Sequence, residues 1–302
     1  MNWQRLDLQT LEREYSPSSM IGGNYQLFID AYVSESQRAF AQLICRRDLR
    51  YGSTPRAWLD YFPAAQRNAQ LLVFIHGGYW QELSKSESAF LAPAWVNASR
   101  AHCVLDYDLA PNVTLETILA QCTSGLNWLI DHAAELGFDP GQIVLAGSSA
   151  GAHLAAMLCL ENPEIRGAIL MSGIYDLEPL VPTYVNQALG LNEVRARALS
   201  PAHVLGSERR PTGEGSTRAP ERPFPPCLVA WGEHETQEFK RQSREFAALL
   251  AARGVKCETL EVVGRNHFDT ATTLGDAGSV LFARAELCFH EQGCSAGPAE
   301  LK

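Results

Sequence analysis

A serine between two glycines, in Gly147-Ser-Ser-Ala-Gly151, has surroundings that suit nucleophilic chemistry. The apolar run 143–146 before it is short and partly β-branched, like a buried parallel strand, whereas the Ala- and Leu-rich run 150–160 after it is long enough for a helix. A sharp turn between the two would expose Ser149 at its corner, and the spacing Gly-x-Ser-x-Gly selects Ser149 rather than Ser148. The alternative is a structural turn in which small residues only join a strand to a helix.

A serine hydroxyl attacks only when a base accepts its proton, and an acid must hold that base in the correct tautomer. His267 lies in Gly264-Arg-Asn-His-Phe268, after the last predicted strand, on a loop expected at the carboxyl end of the sheet. We therefore predict that His267 is the base. Six other histidines are expected to be surface or satisfied core residues: His102, His132, His153, His203, His234 and His290.

The acid should follow the preceding strand, where Val229-Ala-Trp-Gly-Glu-His-Glu235 offers two carboxylates. Gly232 marks the exit turn, so Glu233 is tied to the turn itself and Glu235 can extend over the sheet. We favour Glu235, with Glu233 as the alternative. Asp269 is too close to His267 in sequence to reach its far ring nitrogen.

A glycine pair after another buried strand, in His76-Gly-Gly-Tyr79, predicts the site for the negative charge that develops on the attacked carbonyl oxygen. Each fixed backbone N–H donor aimed at that oxygen contributes about 3 kcal/mol. We predict donors at Gly78 and Tyr79 and a third at Ala150, immediately after the serine. An ordinary Gly-Gly turn is the alternative.

The elements that must position these residues alternate along the chain. Apolar or alternating runs predict strands at residues 57–62, 71–75, 102–106, 143–146, 168–171, 227–231 and 256–263. Helical periodicity predicts helices at residues 25–47, 88–99, 114–136, 150–160, 236–253 and 270–291, with Pro93 starting or kinking the second. Because parallel strands need crossover connections, this order predicts an α/β fold: a mostly parallel sheet with helices on both faces.

We expect one domain over residues 1–302, since α/β folds of this length are often single. Residues 1–50 are predicted to form a helical N-terminal extension, and residues 174–205 a small cap over the sheet edge. Residues 206–226 contain no Leu, Ile or Val and are predicted to be an exposed, mobile loop.

Composition excludes several classes of protein. The net charge is −9 with no basic stripe, so nucleic acid is not an expected partner. The N-terminus lacks a signal-peptide pattern and the most apolar window, 143–160, contains polar residues, so we expect a cytoplasmic protein that does not span a membrane. None of the eight cysteines forms a Cys-x-x-Cys pair, which favours reduced core thiols over disulfides or zinc.

These features resemble the kynurenine formamidase (arylformamidase) group of α/β hydrolases, which are related to the hormone-sensitive-lipase-type carboxylesterases. The resemblance covers nearly the whole chain. Its motifs are Tyr15-Ser-Pro-Ser, Gly22-Gly-Asn-Tyr25, His76-Gly-Gly-Tyr-Trp80, Asp106-Tyr-Asp-Leu-Ala-Pro111, Gly147-Ser-Ser-Ala-Gly-Ala-His153, Ser172-Gly-Ile-Tyr-Asp-Leu177, Glu238-Phe-Lys-Arg-Gln-Ser243 and Asn266-His-Phe268. Tyr79 stands where the esterases usually carry a third glycine, which favours the formamidase side.

The resemblance implies an α/β-hydrolase fold with Ser149 as nucleophile, His267 as base and Glu235 as acid, where formamidases usually have Asp. It places Gly78, Tyr79 and Ala150 around the oxyanion. It also implies cleavage of an aryl formamide such as N-formylkynurenine through a formyl-enzyme, a place in tryptophan catabolism and a possible homodimer. No cofactor or metal is expected.

Proximity to these motifs suggests aromatic contacts to a small-molecule substrate, and they would come from Tyr79, Trp80, Tyr175, Tyr184 and Phe268. Two other functions stay open. One is a carboxylesterase acting on short-chain esters. The other is a non-catalytic binding protein of the same fold, a class that typically lacks one member of the triad.

Overall fold

Buried runs of Val, Ile, Leu and Ala form the middle of one sheet in the computed structural model, which describes residues 2–162, 164–207 and 224–290. The sheet has the order β1-β2-β4-β3-β5-β6-β7-β8. Its strands are β1 (Arg46–Arg50), β2 (Trp58–Phe62), β3 (Ala69–Ile75), β4 (Ala101–Leu105), β5 (Phe138–Ser148), β6 (Gly167–Met171), β7 (Cys227–His234) and β8 (Cys257–Asn266). The β1–β2 and β2–β4 pairs are antiparallel and the others parallel, which confirms the predicted fold class.

Helices cover both faces of this sheet. They are α1 (Leu8–Glu14), α2 (Gln26–Gln42), α3 (Ala92–Asn97), α4 (Leu115–Asp131), α5 (Ala133–Leu136), α6 (Ala150–Glu161), α7 (Asn186–Leu189), α8 (Glu193–Ala198), α9 (Pro201–Gly206), α10 (Gln237–Ala252), α11 (Asp269–Thr273) and α12 (Val280–Glu286). Side chains alternate along each strand, so Val73 and Ile75 of β3 pack with α4, α6 and α10. Leu72 and Phe74 pack on the opposite face with α2, α3, α11 and α12.

Two predicted helices need correction. Residues 43–47 were predicted to continue a helix, but α2 ends at Gln42 and Arg46–Arg50 forms the antiparallel edge strand β1, so the first fifty residues are not all helical. Four of its five residues are charged, and charged side chains suit an exposed sheet edge. The last predicted helix is broken between α11 and α12, because Ser279 begins a new helix by accepting a hydrogen bond from Phe282 N.

The segment predicted to be a cap, residues 174–205, carries the short helices α7 and α8 and most of α9. It is tied to the sheet layer through His153 of α6, whose Nε2 donates to the Leu199 carbonyl at 2.7 Å. Most of the predicted mobile loop 206–226 lies outside the described residues. In the described part of the chain, no helix has the length and apolar character needed to cross a membrane.

Candidate active site

Ser149 stands at the sharp turn between β5 and α6. Its backbone has φ 57° and ψ −121°, a region that residues other than glycine rarely occupy, and such geometry costs about 1–3 kcal/mol. The surrounding chain leaves no room for a side chain at Gly147 or Gly151. A Cβ on Gly147 would lie 2.2 Å from the Gly151 carbonyl oxygen, and one on Gly151 would lie 2.0 Å from the Ile75 oxygen. Gly147 therefore lets the strand end pack against the first turn of α6, and Gly151 lets that turn pack against β3.

Glu235 and His267 form a buried pair beside this turn. Nδ1 of His267 lies 3.1 Å from Oε2 of Glu235, and the two residues are 6% and 2% exposed. The other carboxylate oxygen accepts hydrogen bonds from Ser172 Oγ at 2.6 Å and from Gly232 N at 2.5 Å. Because a carboxylate only accepts, it holds the hydrogen on Nδ1 and leaves Nε2 to take a proton.

The alternative acid, Glu233, contacts Gly264 instead of His267. It is exposed, and its Oε2 accepts a hydrogen bond from Gly264 N at 2.7 Å. The strand β7 does not stop at Gly232 as expected but continues to His234, and its register with β8 shifts between these two residues. This irregularity brings Glu235, rather than Glu233, to His267.

Ser149 and His267 line the same cavity. Among the described residues, no hydrogen bond joins Ser149 Oγ to His267 Nε2. A bond of this kind commonly tightens only once a substrate is in place.

The peptide between Gly77 and Gly78 is held by the residues behind it. The Gly77 carbonyl accepts hydrogen bonds from Tyr107 Oη at 3.2 Å and from His76 Nδ1 at 3.0 Å. In a trans peptide the N–H points opposite to the C=O, so the Gly78 N–H is directed away from Tyr107. Gly78 has φ 89°, and a Cβ there would meet the Glu82 carbonyl oxygen at 2.4 Å. This turn requires glycine.

Asp106 contacts the ring nitrogen of His76 that does not face the Gly77 carbonyl. Its Oδ1 lies 3.2 Å from His76 Nε2 and accepts from Arg56 at 2.8 Å. Burial alone would raise the pKa of Asp106, but the hydrogen bonds and charges of His76 and Arg56 outweigh it and lower that pKa. The loop that carries Gly78 is thus anchored by an ionised carboxylate.

Three backbone N–H groups near Ser149 have no acceptor within the ranges that the structure describes. They belong to Gly78, Tyr79 and Ala150, the residues predicted to hold the oxyanion. Gly78 and Tyr79 line the cavity, and Ala150 is the first residue of α6. Unpaired donors at the start of a helix and in a tight loop are suited to a developing negative charge.

The cavity has a volume of about 320 Å³ and mainly apolar walls. Tyr79, Tyr184 and Phe268 line it, and their contact with a substrate stays a prediction. Trp80 and Tyr175 are not among its lining residues, which corrects the sequence-based expectation. Trp80 is fully buried against His153, and Tyr175 stacks on Phe246 with 4.2 Å between ring centroids. Both side chains fill the core.

The N-terminal extension supplies a wall of the cavity that sequence analysis missed. Tyr25, Ile29 and Tyr32 line the cavity. The Tyr25 ring stacks on Phe268 with centroids 5.5 Å apart, and Tyr32 donates a 2.5 Å hydrogen bond to the Phe268 carbonyl. The helical spacing of Tyr25, Ile29 and Tyr32 was the available signal, since it puts them on one face of a helix.

Tyr15 joins this extension to the loops around the site. Its carbonyl accepts hydrogen bonds from Tyr79 Oη at 2.6 Å and Tyr184 Oη at 3.4 Å. Its own hydroxyl donates to Glu238 at 3.0 Å and accepts from Gln242 at 2.9 Å. Burial raises the pKa of both Tyr15 and Tyr79, so these hydroxyls stay protonated donors.

Metal-ligand atoms of Asp176, Glu178 and His203 lie within 4.8 Å of one another, but these residues are not part of the cavity lining. They form ion pairs among themselves, and Arg197 contacts Glu178 at 3.1 Å. A nearby guanidinium weakens the affinity of such a group for a cation.

Comparisons with known proteins agree with this geometry. The sequence profile of the α/β-hydrolase fold family matches residues 72–269. The chain is 30% identical to kynurenine formamidase of Danio rerio over 294 residues, covering 93% of this chain and 96% of that protein. It is 33% identical to kynurenine formamidase of Drosophila melanogaster, covering 78% and 79% of the two chains. The crystal structure of a proposed thioesterase from Silicibacter sp. TM1040 superposes with a TM-score of 0.76 at 26% identity, covering 90% and 97%.

Proposed function

The chain belongs to the kynurenine formamidase group of α/β-hydrolase-fold proteins, and from that membership we propose a serine hydrolase that cleaves aryl formamides such as N-formylkynurenine. The observation that carries the proposal is the buried His267–Glu235 pair, because His267 lines the same cavity as the strained Ser149 and the unpaired backbone donors of Gly78 and Tyr79. That arrangement suits acyl transfer.

In the proposed first step, Ser149 Oγ attacks the formyl carbon while His267 Nε2 accepts the hydroxyl proton. The carbonyl electron pair moves to oxygen, and the N–H groups of Gly78, Tyr79 and Ala150 stabilise the resulting charge. As the C–N bond breaks, His267 returns the proton to the departing arylamine nitrogen. The formyl group remains on Ser149 as an ester.

In the second step water attacks this ester, and His267 takes a proton from the water and then gives one to Ser149 Oγ. Formic acid leaves and gives its proton to the solvent to become formate, and the enzyme returns to its starting state. Glu235 keeps its negative charge throughout and stabilises the imidazolium that forms in each step. Ser172 and Gly232 hold the carboxylate in place for this purpose.

The walls of the cavity suit an aromatic leaving group. Tyr25, Tyr32 and Phe268 offer ring faces and edges, and Ile29 adds an aliphatic surface. Stacked and edge-to-face ring contacts are worth about 0.5–1.5 kcal/mol beyond the area that they bury. A formyl group is the smallest acyl group, so most of the cavity is available to the arylamine part.

A hydrolysis panel tests the reaction class. Purified protein would be assayed on N-formylkynurenine, formanilide and p-nitrophenyl esters of increasing acyl length, with kcat/KM measured for each. The proposal predicts turnover of the aryl formamides. Turnover of short esters with no detectable release of formate from either formamide would replace it with a carboxylesterase.

We also propose a cytoplasmic homodimer that acts on a small molecule and binds neither nucleic acid nor membranes. The net charge of −9 supports the absence of a nucleic-acid partner, and the free thiols of Cys103, Cys122 and Cys159 support a reducing compartment. Light scattering of the purified chain tests the dimer, and a monomeric mass at assay concentration would overturn it. Labelling of Ser149 by a fluorophosphonate distinguishes an enzyme from a binding protein of the same fold.

A further inference from the structure

The loop that carries His267 is held by helix α2 of the N-terminal extension. Tyr32 Oη donates a 2.5 Å hydrogen bond to the Phe268 carbonyl, and Tyr32 is only 7% exposed. The Tyr32 ring stacks on Phe90 with centroids 4.8 Å apart, so packing fixes the direction of the phenol. Burial raises the pKa of Tyr32, and its hydroxyl therefore stays a protonated donor.

The same segment also holds the side chain of Phe268. The rings of Tyr25 and Phe28 both stack on it, each with centroids 5.5 Å away. Tyr25, Phe28 and Tyr32 follow helical spacing, so one face contacts both the ring and the carbonyl of Phe268. The residue directly after His267 is thus held by Tyr32, which lies 236 positions away in the chain.

The turn itself fixes the peptide before this carbonyl. Asn266 Oδ1 accepts hydrogen bonds from Phe268 N at 2.9 Å and from Asp269 N at 3.3 Å. The Phe268 N–H belongs to the peptide that joins it to His267, and the Phe268 carbonyl belongs to the next peptide. The first peptide is therefore held from within the turn, and the second mainly by the shorter bond from Tyr32.

Catalysis requires that Nε2 of His267 is aimed at Ser149. The contact between Nδ1 and Glu235 fixes one point of the imidazole at 3.1 Å, and the Phe239 ring packs against it with centroids 4.4 Å apart. A ring held through Nδ1 can still swing around that contact, so the backbone must supply another fixed point. Misplacing a reacting group by about 1 Å can lower a rate by about a hundredfold.

We propose that Tyr32 is a positioning residue for the base, because its hydroxyl holds the Phe268 peptide and thereby directs His267 Nε2 toward Ser149. This inference rests on the proposed function, in which His267 accepts the serine proton and returns it to the departing nitrogen. Loss of the hydroxyl should slow the reaction without weakening substrate binding, because phenylalanine at position 32 keeps the ring that lines the cavity.

Tyr32→Phe and Tyr61→Phe form a matched pair of variants. Each removes a tyrosine hydroxyl that donates to a backbone carbonyl, and Tyr61 donates to Leu136 at 3.0 Å, outside the described cavity lining. Tyr32→Phe should lower kcat by about tenfold and change KM by less than about twofold. Tyr61→Phe should keep the wild-type kcat, although thermal unfolding shifts to a lower temperature in both variants.

A comparison of leaving groups separates a displaced base from a general loss of structure. An arylamine leaves with the proton that His267 returns, whereas p-nitrophenolate leaves without one. The ratio of kcat/KM for formanilide to kcat/KM for p-nitrophenyl formate should therefore fall by about three- to tenfold in Tyr32→Phe. The same ratio should stay at the wild-type value in Tyr61→Phe.

Phe28→Leu provides a second variant of the same contact. Phe28 stacks on Phe268 but is not among the described residues that line the cavity, so this change should lower kcat by about threefold with KM unchanged. A wild-type kcat and a wild-type leaving-group ratio in whichever of Tyr32→Phe and Phe28→Leu folds would overturn the proposal. Hydrolysis of the ester but not of formanilide by the wild type would instead contradict the proposed formamidase activity, and the loss in Tyr32→Phe would then be measured on the ester.

Discussion

Ser172 donates a 2.6 Å hydrogen bond to Glu235, on the carboxylate oxygen that does not face His267. Ser172 itself has φ 52°, so the chain holds this side chain in place at a cost in backbone strain. The serine lies in Ser172-Gly-Ile-Tyr-Asp-Leu177, a motif in which the sequence predicted a role only for Tyr175. Its position identifies it as a positioning residue for the acid.

Removing the Ser172 hydroxyl should therefore lower kcat by about tenfold with little change in KM, because a hydrogen bond to a charged group is lost. Ser172→Gly tests this without steric strain, since glycine accepts a positive φ. Ser172→Ala should lose as much activity and also more stability. Steady-state kinetics and thermal unfolding measure both effects. Full activity in the glycine variant would show that the bond does not position Glu235.

The two glutamates of the β7 exit form a matched pair for testing the acid. Glu235→Gln should lower kcat by about three to four orders of magnitude, because the amide does not hold His267 in the required tautomer. Glu233→Gln changes the same charge on the exposed glutamate that contacts Gly264 and should leave kcat within about twofold. Comparable losses in the two variants would argue against Glu235 as the acid.

Tyr107 should control the oxyanion loop. Its hydroxyl donates to the carbonyls of His76 and Gly77 at 2.9 and 3.2 Å and so orients the Gly78 N–H. Tyr107→Phe is expected to lower kcat by about tenfold and the free energy of unfolding by about 1 kcal/mol, with KM unchanged. An inhibitor that forms a tetrahedral adduct on Ser149 should bind the variant more weakly. Equal binding by both forms would contradict this role.

Two buried histidines predict how stability depends on pH. Burial lowers the pKa of His102 to about 3 and that of His153 to about 4, compared with about 6.5 in an unfolded chain. Between these values the unfolded state binds more protons, so stability falls as pH drops below about 6.5. Each histidine contributes about 1.4 kcal/mol per pH unit in that window.

Urea denaturation at pH 7.0, 6.0 and 5.5 measures this dependence. The free energy of unfolding should decrease toward pH 5.5. The His102→Gln variant should show about half the wild-type slope of unfolding free energy against pH, even if the variant is less stable at every pH. An unfolding free energy that is constant across this range would mean that the two imidazoles titrate normally in the folded protein.

The chain order of the strands and helices could be predicted because buried parallel strands are apolar throughout and their crossover helices are periodic. Ser149 and Glu235 could be predicted as candidates because each follows a buried apolar strand, whereas His267 follows the edge strand β8 and was predicted from its position in the chain order. The edge strand Arg46–Arg50 could not be predicted, since a charged exposed strand has no apolar pattern. Its existence depends on pairing with β2.

The directions in which side chains point around the site were harder to predict than the positions of the strands and helices along the chain. Trp80 and Tyr175 lie within motifs next to the site, yet Trp80 has φ 61° and its ring enters the core against His153. The cavity is instead walled by Tyr25 and Tyr32, far away in sequence, which reach it through packing on Phe268. Their helical spacing places them on one face of a helix, but the sequence does not show that this face packs against Phe268.

Release of formate from N-formylkynurenine by wild type and by Ser149→Ala tests most directly whether Ser149 attacks the formyl group of an aryl formamide. Wild type should release formate and arylamine in equal amounts. Ser149→Ala should lose at least about three orders of magnitude in kcat while keeping its circular dichroism spectrum. Formate release by Ser149→Ala at the wild-type rate would contradict the account.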